Sequence, residues 1–360
     1  MSGFESVPEQ QEAKRLLAAA LREGPAHAYL FHGPGGVGKR ALARGFAAEL
    51  LGDAARVERG SHPDLYVLEP LGEQIRIDDV RELHRDLHMR PFEAERRVYL
   101  VFGADSLNEE AADALLKDLE EPPPYAVLVL VAERLGPLPE TLRSRCQLVP
   151  FRRLPERAVR EAVAARAPGL AEEQATAIVR AAGGRLGRAL ELLDPAVARR
   201  RQERIRVARA VYTDPAFDPA AAAEALVRGI AERGTEAKAA AEAQVAAREL
   251  RGREAEQRVR RAQRGAEREE LLAQLEELES WYRDLVVVAA GAEEAVVHVD
   301  RLAELRTDAT AERLLAAERC CELARAAWRE AEELQVSAPL ALEALLIRLH
   351  DELAVPAGAR

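Results

Sequence analysis

The run Gly33-Pro34-Gly35-Gly36-Val37-Gly38-Lys39-Arg40 holds residue types that can cradle a phosphate. Its glycines let successive backbone N–H groups turn inward around anionic oxygens, a shape that side chains obstruct. A helix starting at Lys39 would aim its positive end at the same anion, and Lys39 would reach the β- and γ-phosphates of a nucleotide. The flanks supply that setting: an apolar strand pattern over 28–32 runs into the loop, and a helical pattern over 39–51 leaves it. Nucleotide binding through Gly33, Gly36, Gly38 and Lys39 is the expected chemistry.

Hydrolysis asks for more. After the lysine, a Ser or Thr hydroxyl normally holds Mg²⁺. Here Arg40 stands there, a fixed cation with no acceptor atom. The second metal requirement is an acidic residue at the end of another buried strand. The strand pattern at 97–102 ends in Phe102 and Gly103, and neither binds a metal-held water. Asp105 comes later and is expected to cap or turn the chain. With both metal-binding positions lost, the site is expected to be hydrolytically dead. It needs no cofactor and retains at most weak ATP or ADP binding.

Other chemistry is sparse. Cys146, Cys320 and Cys321 form no C-x-x-C pair, so neither a disulfide framework nor a cysteine zinc site is expected. His27 and His62 lie singly beside turns and are read as structural. With 52 basic against 62 acidic side chains, the net charge of -10 excludes coating nucleic acid by bulk charge. Lysine is confined to positions 14, 39, 117 and 238, so the chain is arginine-biased and an arginine needs positional support to count as functional. No signal-peptide pattern or membrane-length apolar run is visible, which predicts a soluble, cytoplasmic protein with no membrane partner.

The elements that must position the loop alternate. Helical patterns at 7–22, 39–51, 78–87 and 108–120 interleave with strand patterns at 28–32, 65–68, 97–102, 126–132 and 147–151. Continuous apolar strands suit a parallel sheet buried on both faces, so residues 1–152 predict an α/β domain with its sheet between helices. Beyond 152 the strand signals stop. Residues 153–195 predict a small three-helix domain, and 196–360 a larger all-helical one. Within the latter, residues 230–268 are rich in Ala, Glu, Arg and Gln, with Gly234, Gly252 and Gly265 interrupting. A helix polar all round predicts a solvated insertion there.

Several segments together resemble the AAA+ clamp-loader family of bacterial DNA polymerase III, in its delta-prime branch. They are Ala26–Phe31, Ser61-His62-Pro63-Asp64, Ile77–Leu83, the run Ala111-Ala112-Asp113-Ala114-Leu115-Leu116-Lys117-Asp118-Leu119-Glu120-Glu121-Pro122-Pro123, and Leu138–Gln147 with its Ser144-Arg145-Cys146. They span about residues 4–195. Trp281-Tyr282-Arg283-Asp284-Leu285 is similar to the start of a helix in the delta-prime collar.

The resemblance implies an AAA+ P-loop domain, a helical lid and an all-α collar joining five subunits. The implied partners are gamma/tau motor and delta subunits in a hetero-pentamer, the sliding clamp, and primer-template DNA through the assembly. Arg145 is then an arginine finger acting on ATP held by a neighbour, and Arg188 sits where the lid's sensor arginine belongs. The chain itself would be neither the polymerase nor an active ATPase, but a stator in clamp loading. The competing expectation is an active gamma/tau-type ATPase. One departure is plain: where the family carries a four-cysteine zinc module, residues 51–60 are short and cysteine-free, so no zinc is expected.

Overall fold

The computed structural model describes residues 7–70, 74–247, 252–334 and 336–354. They divide into two compact units, one holding the residues up to Ala162 together with Ala182–Arg188, the other Val163–Ala181 and the residues from Ala189 on. The 153–195 segment is thus shared between the units.

The first unit is built on five parallel strands: β1 (Ala28–His32), β2 (Leu65–Leu68), β3 (Arg97–Phe102), β4 (Ala126–Val131) and β5 (Gln147–Pro150), in the order β2-β3-β4-β1-β5. Parallel neighbours need crossovers, and here helices supply them on both faces. Alternate residues therefore feed two cores. Tyr29, Phe31, Leu100, Phe102 and Val129 pack with α1 (Gln11–Glu23) and α2 (Lys39–Leu51). Leu30, Tyr99, Val101, Leu128 and Leu130 pack with α4 (Ile77–Leu87) and α5 (Glu109–Glu120). Each large apolar chain so buried contributes about 1.5–3 kcal/mol. A short α3 (Ala54–Glu58), capped by Asp53, fills the cysteine-free link. The helix α6 (Glu140–Arg143) precedes β5. This is an α/β P-loop module with a parallel sheet between helices, and only helices follow β5 among the described residues.

Those helices are α7 (Glu156–Arg166), α8 (Glu172–Ala182), α9 (Leu186–Glu191), α10 (Pro195–Thr213), α11 (Pro219–Ala247), α12 (Gly252–Ala289), α13 (Leu302–Asp308), α14 (Leu314–Glu333) and α15 (Ala338–Ala354). The polar stretch pairs within the chain rather than standing solvated all round. α11 and α12 pack antiparallel, with Gly229 against Gln274 and Gly234 against Glu267. A Cβ at Gly234 would meet Glu267 Oε1 at 2.5 Å, so this glycine permits close approach. Buried alanines such as Ala241 and Ala266 do the work that large apolar side chains do elsewhere.

The Trp281–Leu285 segment lies in the core of the second unit. Trp281 Nε1 donates to Tyr212 Oη at 3.1 Å, and Tyr282 Oη donates to the Ala208 carbonyl at 3.1 Å. Asp284 accepts from the Val297 and His298 backbone N–H groups at 2.9 and 2.8 Å. The His298 ring is buried between two carboxylates, 2.8 Å from Asp284 Oδ2 and 2.8 Å from Glu277 Oε1. Burial pulls the His298 pKa down, but these two hydrogen bonds outweigh it and the net shift is upward. Among the described residues no helix is long and apolar enough to cross a membrane.

Candidate functional site

The loop between β1 and α2 has the expected glycine-dependent shape. Gly33, Gly36 and Gly38 have φ of 129°, 68° and 100°, values that a side chain disfavours. At Gly33 there is no room either, since a Cβ would lie 2.2 Å from the Phe151 carbonyl oxygen. Lys39, however, turns back on the loop. Its Nζ donates to the Gly33 and Pro34 carbonyls at 2.6 and 2.5 Å, and the residue is only 5% exposed. Burial lowers its pKa, against the opposing charges of Glu133 and Asp105.

The two positions where metal ligands were expected to be missing pack on each other. The Arg40 guanidinium lies 4.3 Å from the centroid of the fully buried Phe102 ring, and Arg40 also pairs with Glu69. Arg44 backs the same ring at 5.4 Å and lies 3.7 Å from Glu69. A fixed cation over an aromatic face thus stands where a hydroxyl and a carboxylate would share Mg²⁺. Asp105 does not cap the next helix, whose N-cap is Asn108; it braces the turn after β4 instead. Its Oδ2 accepts from the backbone N–H groups of Glu133 and Arg134, each at 3.2 Å.

Glu133 was missed in the sequence. It follows β4, and the carboxyl ends of parallel strands are where ligands bind in open α/β sheets. Its carboxylate rests against the loop, where a Cβ on Gly35 would come within 2.4 Å of Oε1. An acceptor-only group beside a phosphate cradle opposes the anion the cradle is shaped for.

Arg145 lies away from this cluster in sequence and is held lightly. Nη1 donates to the Thr141 carbonyl at 2.7 Å, and Nη2 pairs with Glu120 Oε1 at 2.5 Å, with both side chains partly exposed. Glu120 closes α5, within the run that carries the resemblance, yet its partner could not be read without the fold. Cys146 is buried, which pushes its thiol up to about 12, so it is packing rather than a nucleophile. Arg188 is partly buried in α9. Its neighbour Gly187 donates its N–H to the Gly36 carbonyl at 2.8 Å, which brings the start of α9 onto the loop.

The Ser61–Asp64 motif is structural. Asp64 accepts from the backbone N–H groups of Phe92, Glu93 and Ala94 at 2.6, 3.0 and 2.9 Å. Burial would raise its pKa, but these three donors hold it below the usual carboxylate range. His62 is buried, and its Nδ1 accepts from the Asp64 N–H at 3.1 Å.

Residues 9–155 match the family described as DNA polymerase III, delta subunit. The chain is 41% identical over 136 residues to DNA polymerase III subunit delta' of Pseudomonas aeruginosa, covering 34% of this chain and 42% of that protein. It is 34% identical over 160 residues to subunit delta' of Bacillus subtilis, covering 41% and 49%. Subunit tau of Bacillus subtilis is 30% identical over 213 residues, covering 54% and 38%. The match therefore spans about half or less of the length of each of these relatives. A gamma subunit-related protein of Thermotoga maritima superposes with a TM-score of 0.49 at 17% identity, covering 95% of this chain and all of that one.

Proposed function

From a chain whose N-terminal residues belong to the DNA polymerase III clamp-loader family, we propose a delta-prime-type stator: a non-hydrolysing subunit that supplies Arg145 to ATP on a neighbouring motor subunit. The observation that carries this reading is the packing of Arg40 on Phe102, which fills both metal positions with groups that bind no metal. Glu133 against the loop and Lys39 turned onto loop carbonyls further weaken nucleotide binding. Arg188 is proposed as a sensor remnant beside the loop.

In this reading the partners are gamma/tau and delta subunits in a hetero-pentamer. The assembly opens the sliding clamp and sets it on primed DNA. Arg145 acts in trans by neutralising charge that develops on the transferred phosphoryl group. A finger of this kind contributes roughly 10³–10⁵ in hydrolysis rate. To reach its target, Arg145 must leave Glu120, and a surface ion pair of this kind holds only about 0–1 kcal/mol.

The test is ATP hydrolysis by the reconstituted loader, with clamp and primed DNA, comparing wild type with Arg145→Ala. A severalfold or larger drop in an intact assembly supports the finger. Unchanged hydrolysis in an intact assembly removes that role, and failure to assemble with motor subunits removes the clamp-loader reading. The alternative, an active gamma/tau-type ATPase, takes support from the tau match covering more of this chain than either delta' match. It requires Mg²⁺-dependent hydrolysis by the purified chain alone.

A further inference from the structure

Among the described residues, His84, His88 and Asp118 form a group whose donor atoms, one from each, all lie within 4.8 Å of one another. We propose that these three residues bind a divalent transition-metal ion of the zinc class, tying α4 to α5. No metal was expected from the sequence; that expectation rested on absent cysteine ligands, and this set uses none.

The sequence places the histidines four apart, so the last turn of α4 and its C-cap present them on one side of the helix. Val80, Leu83 and Leu87 bury the adjoining face against the sheet and α5, which brings that side beside Asp118. His84 Nδ1 is 2.6 Å from Asp118 Oδ1, and the His84 and His88 ring centroids are 4.7 Å apart. In a tetrahedral zinc site with bonds of about 2.0–2.1 Å, ligand atoms stand roughly 3.3 Å apart. Both imidazoles are exposed, so rotation about their side-chain bonds is open to them.

Asp118 is the fixed part. It is 3% exposed, and its Oδ2 is buried with no hydrogen-bond donor. A buried carboxylate is costly unless compensated, and a cation shared with two imidazoles compensates it. Two nitrogens and one oxygen suit Zn²⁺ or Co²⁺, with water in the fourth position. Mg²⁺ and Ca²⁺ favour all-oxygen sets. An ion here would also fix α5, the helix that ends in Glu120, the partner of Arg145.

A simple helix-to-helix hydrogen bond between His84 and Asp118 is the competing account, and His88 separates the two because that bond does not use it. The experiment is a Co²⁺ titration of the full chain without a histidine tag, followed by visible d–d absorption, with Zn²⁺ as competitor. Saturable one-to-one binding, displaced by Zn²⁺ and weakened at least tenfold in His88→Ala and Asp118→Asn, is expected. Zn²⁺ should also raise the melting temperature of wild type but not of His88→Ala. No saturable binding up to millimolar Co²⁺, or binding of equal strength in both variants, overturns the site. The outcome is independent of the clamp-loader reading, since no other subunit is present.

Discussion

Arg40 and Arg145 belong to the same unit and each has an acidic partner, yet they are held in different ways. Arg40 lies over a ring with no exposure that is part of β3, with Arg44 behind the same ring. Arg145 is held by a carbonyl one helical turn back and by one partly exposed glutamate. Neither guanidinium is buried, with Arg40 56% and Arg145 33% exposed. Arg40 has two holds, the ring face and Glu69, while releasing Arg145 breaks one surface pair and one hydrogen bond to a carbonyl. The difference lies in the surface each covers, a buried aromatic ring of the sheet in one case and the exposed end of α5 in the other.

The largest expected effect is that of Phe102→Ala. It should cost about 3–5 kcal/mol in urea unfolding, since a fully buried ring and its two cation contacts are lost together. A loss under about 1 kcal/mol would mean that the ring is not what holds Arg40.

The second unit offers a fully buried counterpart in His298. His298→Ala should cost about 3 kcal/mol by removing the buried hydrogen bonds of the ring to Glu277 and Asp284, which keep Arg201 at 2.9 Å and Arg283 at 3.0 Å. The histidine pKa is raised in the folded state, so its contribution is complete below about 6.5 and lost as pH rises through the folded value. Melting temperature followed upward from pH 6 should fall more steeply for wild type than for His298→Gln. Parallel curves would remove His298 as the cause.

Lys39→Met keeps the apolar stem but strips the donors from the Gly33 and Pro34 carbonyls, for a cost of about 2–4 kcal/mol. A change under about 0.5 kcal/mol would show the lysine free to serve a nucleotide. Glu133→Gln should tighten ADP binding on the order of tenfold, measured by calorimetry, by removing a negative charge beside the loop. Equal affinity in both proteins would put the carboxylate out of range of the phosphates.

The smallest effect belongs to the Arg145 pair. Glu120→Ala should shift the stability of the isolated chain by less than about 1 kcal/mol. A loss beyond about 2 kcal/mol would make the Arg145–Glu120 pair a structural strut and dissolve the contrast with Arg40.

Strand and helix placement in the first unit was legible because each element has a strong local signal. The apolar runs of β3 and β4 can only be buried on both faces, and the glycines before Lys39 allow one kind of turn. The part of the α11–α12 pair at Gly234, Ala241 and Ala266 was not legible, because small residues carry no hydrophobic periodicity, whereas Leu226, Ile230, Leu271 and Leu275 do. Asp64 and Trp281 stood out as motif residues, but their roles as loop clamp and core anchor came from partners about 30 and 70 positions away.

The sequence by itself determined that metal ligation is missing at positions 40 and 102, because Arg40 and Phe102 lack the atoms that a metal needs, whatever surrounds them. Only the tertiary structure decided what replaced it. The stacking of Arg40 on Phe102, the resting of Glu133 on Gly35 and the pairing of Arg145 with Glu120 all join residues far apart in the chain. Composition limits what a side chain can do, while the packing of strands and helices selects which distant group it meets.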